Sequence, residues 1–499
     1  MRDDDVWIGL DVGTQGARAL AVAADGRVLG RGTVALRSRR DAGRHEQDPR
    51  TWCSAVATAS REALAGVAPE LVRGVATCAT SGTILLVDGA GTPLTPGLMY
   101  DDGRAVAQAR RIDAAGGLGY RIGPAWALAK LLWMLEQWPQ LARGARLAHQ
   151  ADVITRMLVG HAVPADSSHA LKTGYDQTQD RWPHEVLGAL GVPDGMLPAV
   201  VRCGSALGEV CARAGEQTGI PAGTPVVAGM TDSCAAQFAA GAVREGDWNS
   251  VLGTTLALKG RGERLVRDAA GVLYSHRAPD GGWLPGGASS TGAGVLSQRF
   301  SGRDLDELGR RAAAHERTGV LAYPLVGRGE RFPFAAAGAE SFVLGEPAGE
   351  AELFAALLQG VAFVERLCFD YVDLLGAPSG GRLTLTGGAV RNREWCALRA
   401  DVLDRPVRLV QQPEPAFGMA VLAASVGGED ACARGARVGA SAADAMVRTR
   451  ELIEPRPARA EYLTAPYLRL VGELEQRGWL DAALARHART RAGETSSAT

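Results

Sequence analysis

A short turn near the start of the chain combines residue types that bind phosphate groups. The segment is Asp11-Val12-Gly13-Thr14-Gln15-Gly16, and it follows an apolar run that predicts a buried strand. Glycines lack a Cβ and so let backbone N–H groups approach an anion closely, while Thr14 and Gln15 add side-chain donors. Asp11 ends the predicted strand, where its carboxylate would lie beside a phosphate-bound Mg²⁺. An ordinary hairpin turn closed by an Asx interaction is the alternative that this segment alone leaves open.

Two further glycine turns occur in the second half of the sequence. Gly253-Thr254-Thr255 lies between two predicted strands and again combines small residues with hydroxyls. Gly387-Gly388 follows the predicted strand Leu383–Thr386, so a flat ring could lie against its backbone, and Asn392 could add a hydrogen bond. A tight strand-to-helix connection is the alternative for this third segment. A phosphate-type turn in each half predicts that both halves contribute to the binding of one nucleotide.

Asp232 is the carboxylate best placed for acid–base chemistry. It follows a predicted strand and opens a predicted helix within Gly229-Met230-Thr231-Asp232. Transfer of a phosphoryl group to an alcohol needs a carboxylate that accepts the hydroxyl proton, and Asp232 is predicted to be this general base. A helix N-cap, a common role for aspartate, is the alternative.

Composition and missing motifs exclude several other classes of protein. The 499 residues are 46% hydrophobic with a net charge of −1, which gives no sign of a nucleic-acid or membrane partner. The acidic N-terminus and the lack of a long apolar window predict a cytoplasmic protein. No GxxxxGK[ST], strand-linked GxGxxG or HExxH motif occurs. The eight cysteines, from Cys53 to Cys432, contain no CxxC pair and are predicted to be buried free thiols.

The elements that must position these residues form two α/β halves, each with a strand–glycine turn–strand unit. The chain is expected to open as an antiparallel meander, and residues 206–218 are predicted to be helical. The predicted division is a first domain over 1–245, a second over 246–485 and a disordered tail over 486–499.

These segments, in this order, resemble the FGGY carbohydrate kinase family over roughly residues 6–475. Besides the three turns and the segment of Asp232, the resemblance rests on Glu46-Gln47-Asp48-Pro49 with Trp52, on Tyr100-Asp101-Asp102-Gly103-Arg104 and on Lys130-Leu131-Leu132-Trp133. Ala127, three residues before Lys130, departs from the family pattern.

The resemblance implies two ribonuclease-H-like, actin-like ATPase domains that flank a deep catalytic cleft, the first binding sugar and the second ATP. It implies Asp232 as the base and Asp11 as the ligand that organises Mg²⁺ and phosphate. ATP would be held by Gly13, Thr14, Gln15, Gly253, Thr254, Thr255, Gly387, Gly388 and Asn392. The acceptor sugar would contact Asp11, Ser81, Asp102 and Asp232.

The segment Ala79-Thr80-Ser81-Gly82-Thr83 resembles the D-ribulose kinase branch of the family, because glycerol kinases carry Arg-Glu there and bacterial xylulokinases Met-His-Gly. D-ribulose is therefore the expected acceptor. A D-xylulose kinase, or another sugar or polyol kinase of the family, is the nearest alternative, and an actin- or chaperone-like ATPase is a remote one. A homodimer is a further expectation.

Overall fold

The computed structural model describes residues 4–426 and 439–493. Cys432 and the last six residues of the predicted tail lie outside these ranges. Among the described residues, no helix has the length and apolarity needed to cross a membrane.

The first half of the chain alternates short strands and helices. Its strands are β1 (Val6–Val12), β2 (Gly16–Ala23), β3 (Val28–Ala35), β4 (Arg39–Asp41), β5 (Arg44–Gln47), β6 (Val72–Ala79), β7 (Ile84–Val87), β8 (Gly97–Leu98), β9 (Arg146–His149), β10 (Ala165–Asp166), β11 (Val200–Val201), β12 (Ala206–Glu209) and β13 (Pro225–Thr231). Its helices are α1 (Pro49–Leu64), α2 (Val106–Ala115), α3 (Ala127–Gln137), α4 (Gln150–Val159), α5 (Ser167–Ala170), α6 (His184–Ala189), α7 (Ala212–Thr218) and α8 (Asp232–Ala239).

The second half has the same mixed character. Its strands are β14 (Trp248–Leu252), β15 (Leu256–Gly260), β16 (Tyr274–Arg277), β17 (Trp283–Ala288), β18 (Leu321–Tyr323), β19 (Phe342–Leu344), β20 (Leu383–Thr386), β21 (Val407–Val410) and β22 (Thr449–Ile453). Its helices are α9 (Gly294–Arg299), α10 (Leu305–Ala312), α11 (Glu350–Leu374), α12 (Arg393–Leu403), α13 (Pro415–Val426), α14 (Ala440–Met446), α15 (Pro457–Gln476) and α16 (Ala482–Arg491).

The chain divides into two compact units, and neither is one continuous segment. Unit 1 contains residues 1–241, 276–282 and 412–448, and unit 2 contains residues 242–275, 283–411 and 449–499. The predicted first domain, 1–245, therefore omits residues 276–282 and 412–448, which belong to unit 1 although they come late in the chain.

Each unit is built on a sheet with the same strand pattern. In unit 1 the order is β12-β13-β6-β1-β2-β3, in which β13, β6 and β1 are parallel and β1 to β3 form the predicted antiparallel meander. In unit 2 the order β21-β20-β14-β15-β17 repeats this pattern, with β21, β20 and β14 parallel. Unit 1 has a second, five-stranded sheet in the order β4-β5-β8-β7-β9.

The returning helix α13 completes the core of unit 1. Gly9 on β1 has no side chain, and a Cβ there would lie 1.7 Å from the carbonyl oxygen of Ala416. Gly418 allows the same close approach to α8, where a Cβ would lie 1.9 Å from the oxygen of Ala235. These glycines let the helix lie directly against the sheet, so either one is intolerant of a larger residue.

Two predictions about local structure are wrong. Residues 206–218 are not one helix, because β12 pairs antiparallel with the edge of β13 before α7 begins. The predicted disordered tail begins too early, because residues 482–491 form α16, whose Leu484, Ala485 and Ala488 are fully buried in the core of unit 2.

Candidate active site

Asp11 is a buried carboxylate at the end of β1, only 2% exposed. Its Oδ2 accepts a hydrogen bond from Arg18 NH1 at 2.9 Å, and its Oδ1 lies 3.7 Å from Cys78 Sγ. Burial, opposed by Arg18 and reinforced by the negative charge of Asp232, raises the pKa of Asp11 from 3.8 to about 6. The arrangement favours a cation or a proton beside this carboxylate.

Asp232 lies close enough to Asp11 for its negative charge to contribute to the raised pKa of Asp11. The reason is topological: the parallel strands β1, β6 and β13 end at the same edge of the sheet, with Cys78 paired to both Asp11 and Met230. Asp232 is the first residue of α8, and its Oδ1 accepts the backbone N–H of Ser233 at 2.7 Å. The N-cap residue of α8 is Thr231. Asp232 is the next residue, so it does not have the N-cap role that was the alternative prediction for it.

The turn Gly13–Gly16 connects β1 and β2 and is supported by a neighbouring strand. Gly13 N–H donates to the carbonyl of Gly16 at 3.0 Å. Gln47 Nε2 donates to the carbonyl of Thr14 at 2.7 Å, and Gln47 Oε1 accepts from Trp52 Nε1 at 2.7 Å. The Glu46–Trp52 segment thus has a physical role, because Gln47 orients the turn while Trp52 orients Gln47.

Ser81 lies in the turn that follows β6, two residues beyond the edge where Asp11 and Asp232 are found. Its Oγ is buried and has no hydrogen-bond partner in the described structure. Lys172 Nζ donates to the Ser81 carbonyl at 3.2 Å, and Thr80 of the same turn donates to Gln150 Oε1 at 2.7 Å. The turn is therefore fixed on both sides, while the buried Ser81 hydroxyl makes no hydrogen bond of its own there.

Asp102 is fully buried and holds its own segment together. Its Oδ1 accepts from the backbone N–H and Nε of Arg104, and its Oδ2 accepts from the His45 N–H and from Arg104 NH2, all between 2.7 and 3.2 Å. Direct contact with a sugar hydroxyl would require one of these bonds to be exchanged. Lys130 supports the same segment by donating to the carbonyls of Leu98 and Met99, and burial lowers its pKa to about 7.

Within unit 2, the second and third glycine turns lie side by side. The turn Gly253–Thr255 follows β14 and Gly387 follows β20, and these parallel strands are neighbours with Val251 paired to Thr386. Gly387 has φ +89°, and a Cβ there would lie 2.5 Å from the carbonyl oxygen of Leu252. The tight connection that was the alternative for this segment is therefore present, with Gly387 half-buried and Gly388 exposed.

Asn392 has a structural role in unit 2 that is compatible with the predicted one. Its Oδ1 caps α12 by accepting the backbone N–H of Trp395 at 3.0 Å. The same residue lines a cavity of unit 2 together with Gly309, Ala313 and Gln359.

Comparison with known proteins connects this geometry to a family. Residues 6–239 match the N-terminal domain of the FGGY family of carbohydrate kinases, and residues 248–426 match its C-terminal domain. The chain belongs to the FGGY family of carbohydrate kinases. It is an ATP-dependent carbohydrate kinase, as the sequence predicted, and the remote alternative of an actin- or chaperone-like ATPase is wrong.

Several relatives of this FGGY kinase are similar over most of their length. A xylulose kinase of Streptomyces coelicolor is 29% identical over 85% of this chain and 89% of its own. An apulose kinase of Pectobacterium atrosepticum is 27% identical over 81% of this chain and 85% of its own. The solved xylulose kinase of Rhodospirillum rubrum superposes with a TM-score of 0.84 at 25% identity, covering 94% and 98% of the two chains. The predicted fold class, α/β with two actin-like ATPase domains, is confirmed.

The carboxylates of this kinase fit a magnesium ion that is shared with a nucleotide. The described residues contain no group of three or more side chains that could hold a metal alone. Mg²⁺ with phosphates needs only one or two carboxylates, because phosphate oxygens and water complete its coordination. Asp11 suits this role since its buried carboxylate, close to a second negative charge, is stabilised by an added cation.

Sequence reasoning did not single out His45 or Gln150. His45 is 1% exposed, its Nδ1 is hydrogen-bonded to Asp101 Oδ1, and its Nε2 has no partner in the described structure. Gln150 is fully buried, and its Nε2 likewise has no partner there. Neither residue belongs to a motif with a known spacing, so only the three-dimensional hydrogen-bond pattern distinguishes them.

Proposed function

We propose that this kinase transfers the γ-phosphoryl group of ATP to a hydroxyl group of an acyclic ketopentose, with D-ribulose as the preferred acceptor. The observation that carries the proposal is the Ser81 turn, in which a buried hydroxyl without a partner follows the strand between those of Asp11 and Asp232. Small hydroxyl residues there leave room for a linear sugar that is recognised through its own hydroxyls. A site of this type discriminates strongly against analogues that lack one of them.

In this proposal Asp232 accepts the proton of the attacking hydroxyl, since it lies at the N-terminus of α8 beside Asp11. Asp11 would hold Mg²⁺, which would neutralise charge on the transferring phosphoryl group. Ser81 donates a hydrogen bond to the sugar. Asp102 contributes to sugar binding by holding the Tyr100–Arg104 segment in place.

The nucleotide is assigned to the three glycine turns. Phosphate oxygens bind at the turn that contains Gly13, Thr14 and Gln15 and at the turn Gly253–Thr255, while the Gly13 N–H stays bonded to the Gly16 carbonyl. Gly387, Gly388 and Asn392 lie next to that second turn within unit 2, and we assign them to the adenosine group.

D-xylulose is the second candidate because relatives from several bacteria are xylulose kinases. An assay of ADP release, coupled to NADH oxidation, over D-ribulose, D-xylulose, glycerol and ribitol separates the candidates. We expect kcat/KM to be highest for D-ribulose. A preference for D-xylulose would overturn the D-ribulose assignment alone, and a preference for glycerol or ribitol would overturn the ketopentose proposal.

A further inference from the structure

Several polar atoms in unit 1 are buried without a hydrogen-bond partner among the described residues, and they include His45 Nε2, Ser81 Oγ and Gln150 Nε2. Buried polar atoms nearly always have a partner, so an exception at a functional site calls for an explanation such as a bound substrate, water or ion. Ser81 already belongs to the proposed acceptor site. His45 and Gln150 have no role in the function proposed above, so their unpaired nitrogens still need an explanation.

The five-stranded sheet brings these residues to one edge. Four directly paired residues cross it in a row: Glu46 on β5, Leu98 on β8, Ile84 on β7 and His149 on β9. His45 precedes Glu46 on β5, and Gln150 follows His149 as the first residue of α4, so both lie beyond the same side of this row. The turn that contains Ser81 enters β7 at this side as well, so all three residues lie along one edge of the sheet.

His45 presents a hydrogen-bond acceptor at this edge. Its Nδ1 is bonded to Asp101 Oδ1, and its backbone N–H donates to Asp102 Oδ2 at 2.7 Å. An ionised carboxylate can only accept, which places the ring proton on Nδ1 and leaves a lone pair on Nε2. Asp101 is thus a positioning residue that sets the orientation and tautomer of His45.

Gln150 presents a donor. Its Oε1 accepts from the Thr80 backbone N–H at 3.3 Å and from Thr80 Oγ1 at 2.7 Å. Rotating the amide by 180° would point its NH₂ group at the Thr80 N–H, so the observed orientation is the only favourable one. The amide group that remains unpaired is therefore Nε2, with two hydrogens to donate.

The neighbourhood of His45 also connects this edge to the phosphate turn. His45 and Gln47 lie two residues apart on β5, so their side chains point to the same face. Gln47 on that face contacts the Thr14 carbonyl. An acceptor bound against His45 would therefore lie on the side of β5 that also supports the Gly13–Gly16 turn.

We propose that His45 and Gln150 bind hydroxyl groups of the acceptor beside Ser81 and determine its specificity. A sugar hydroxyl both donates and accepts, so one can donate to His45 Nε2 while another accepts from Gln150 Nε2. This inference rests on the proposed function, because it assigns two more contacts at the same acceptor site. With the ring proton of His45 on Nδ1 alone, both groups are uncharged, which fits a neutral polyhydroxylated acceptor rather than a sugar acid or a sugar phosphate.

The test uses substitutions that keep the structural contact and remove the unpaired nitrogen. His45→Asn retains a donor to Asp101 but has no atom at Nε2. Gln150→Glu retains an oxygen for Thr80 but loses the donor. His161→Asn and Gln179→Glu make the same changes at exposed positions of unit 1 and serve as controls.

Each variant is assayed with the best acceptor of the unmodified enzyme and with its monodeoxy analogues. We expect His45→Asn and Gln150→Glu to lower kcat/KM for the full acceptor by about three- to tenfold, mainly through KM. The deoxy analogue that lacks the contacted hydroxyl should show no further loss, and KM for ATP should not change. His45→Gln, whose amide can place an oxygen near the position of Nε2, should recover part of the lost activity.

Two failures are distinguishable. If the unmodified enzyme phosphorylates no ketopentose well, the proposed function is wrong, and the deoxy series of its best acceptor still tests His45 and Gln150. If the variants discriminate against every deoxy analogue as strongly as the unmodified enzyme does, or lose activity equally on all acceptors, the two residues are structural and the inference is wrong. If His45→Asn fails to fold, His45→Gln and Gln150→Glu decide the outcome in the same assay.

Discussion

Replacing Asp11 with asparagine is expected to stabilise the protein while it abolishes phosphoryl transfer. Burial is the largest influence on Asp11 and raises its pKa from 3.8 to about 6 despite the Arg18 guanidinium 2.9 Å away. A raised pKa means that the ionised side chain is less stable in the folded protein than in the unfolded chain. Asparagine has nearly the same shape and carries no charge, so it removes that cost.

The magnitude follows from the size of the shift. A change from 3.8 to about 6 is about two units, and each unit is worth about 1.4 kcal/mol, so ionised Asp11 costs about 3 kcal/mol. The folded state holds the proton more tightly than the unfolded state. The cost is therefore absent below about pH 4, grows as the pH rises, and is complete above about pH 6.

The measurement is urea denaturation of the unmodified protein and of Asp11→Asn, without ATP, at about pH 8 and about pH 5. We expect Asp11→Asn to be more stable by about 3 kcal/mol at the higher pH and by about half of that at the lower. Asp102→Asn is the matched control. Asp102 is also buried, but its carboxylate is paired with the nearly buried Arg104, so this substitution should destabilise the protein by about 3 kcal/mol.

The reasoning would be refuted if Asp11→Asn were no more stable than the unmodified protein at about pH 8, or if its gain were the same at both pH values. The first result would show that the Arg18 pair outweighs burial. The second would show that ionisation of Asp11 is not the source of the effect.

Three further substitutions test other parts of the structure. Asp232→Asn should keep ATP binding but lower kcat by about 10²-fold or more, since the proton acceptor is lost; near-normal turnover in the coupled assay would remove Asp232 as the base. Glu365→Gln should cost about 3–5 kcal/mol in urea denaturation because it leaves the fully buried Arg399 guanidinium without its carboxylate, and an unchanged midpoint would contradict this. Gly387→Ala should weaken ATP binding by about tenfold or more in calorimetry, since φ is +89° and a Cβ would lie 2.5 Å from the Leu252 oxygen; an unchanged dissociation constant would count against a nucleotide at this turn.

Local patterns in the sequence were sufficient for the elements that surround the glycine turns. The meander of β1 to β3, the strands on either side of Gly253–Thr255 and the helix that begins at Asp232 all appear where the pattern predicts them. Each depends on neighbouring residues: an apolar run forms a buried strand, and glycine permits a tight turn whatever lies elsewhere in the chain. The same local motifs were sufficient to identify the kinase family.

Tertiary contacts decided the features that local patterns missed. Residues 206–209 form a strand because the edge of β13 is available for pairing, and α16 is ordered because Leu484, Ala485 and Ala488 have a core to pack against. Residues 412–448 return to unit 1 because Gly9 and Gly418 allow α13 to lie against the sheet and α8. None of these partners is close in sequence to the residues that they order.

The chemistry of individual side chains also depends on the fold. The sequence identifies Asp11 as a carboxylate at the end of a strand, but its pKa of about 6 results from burial and from Asp232, more than 200 residues away. His45 and Gln150 belong to no motif, and they stand out only because one nitrogen of each is buried without a partner. Residue type and spacing therefore determine which groups can react. Burial and hydrogen-bond pairing determine which of these groups lack a partner in the folded protein, and both depend on residues that are distant in the sequence.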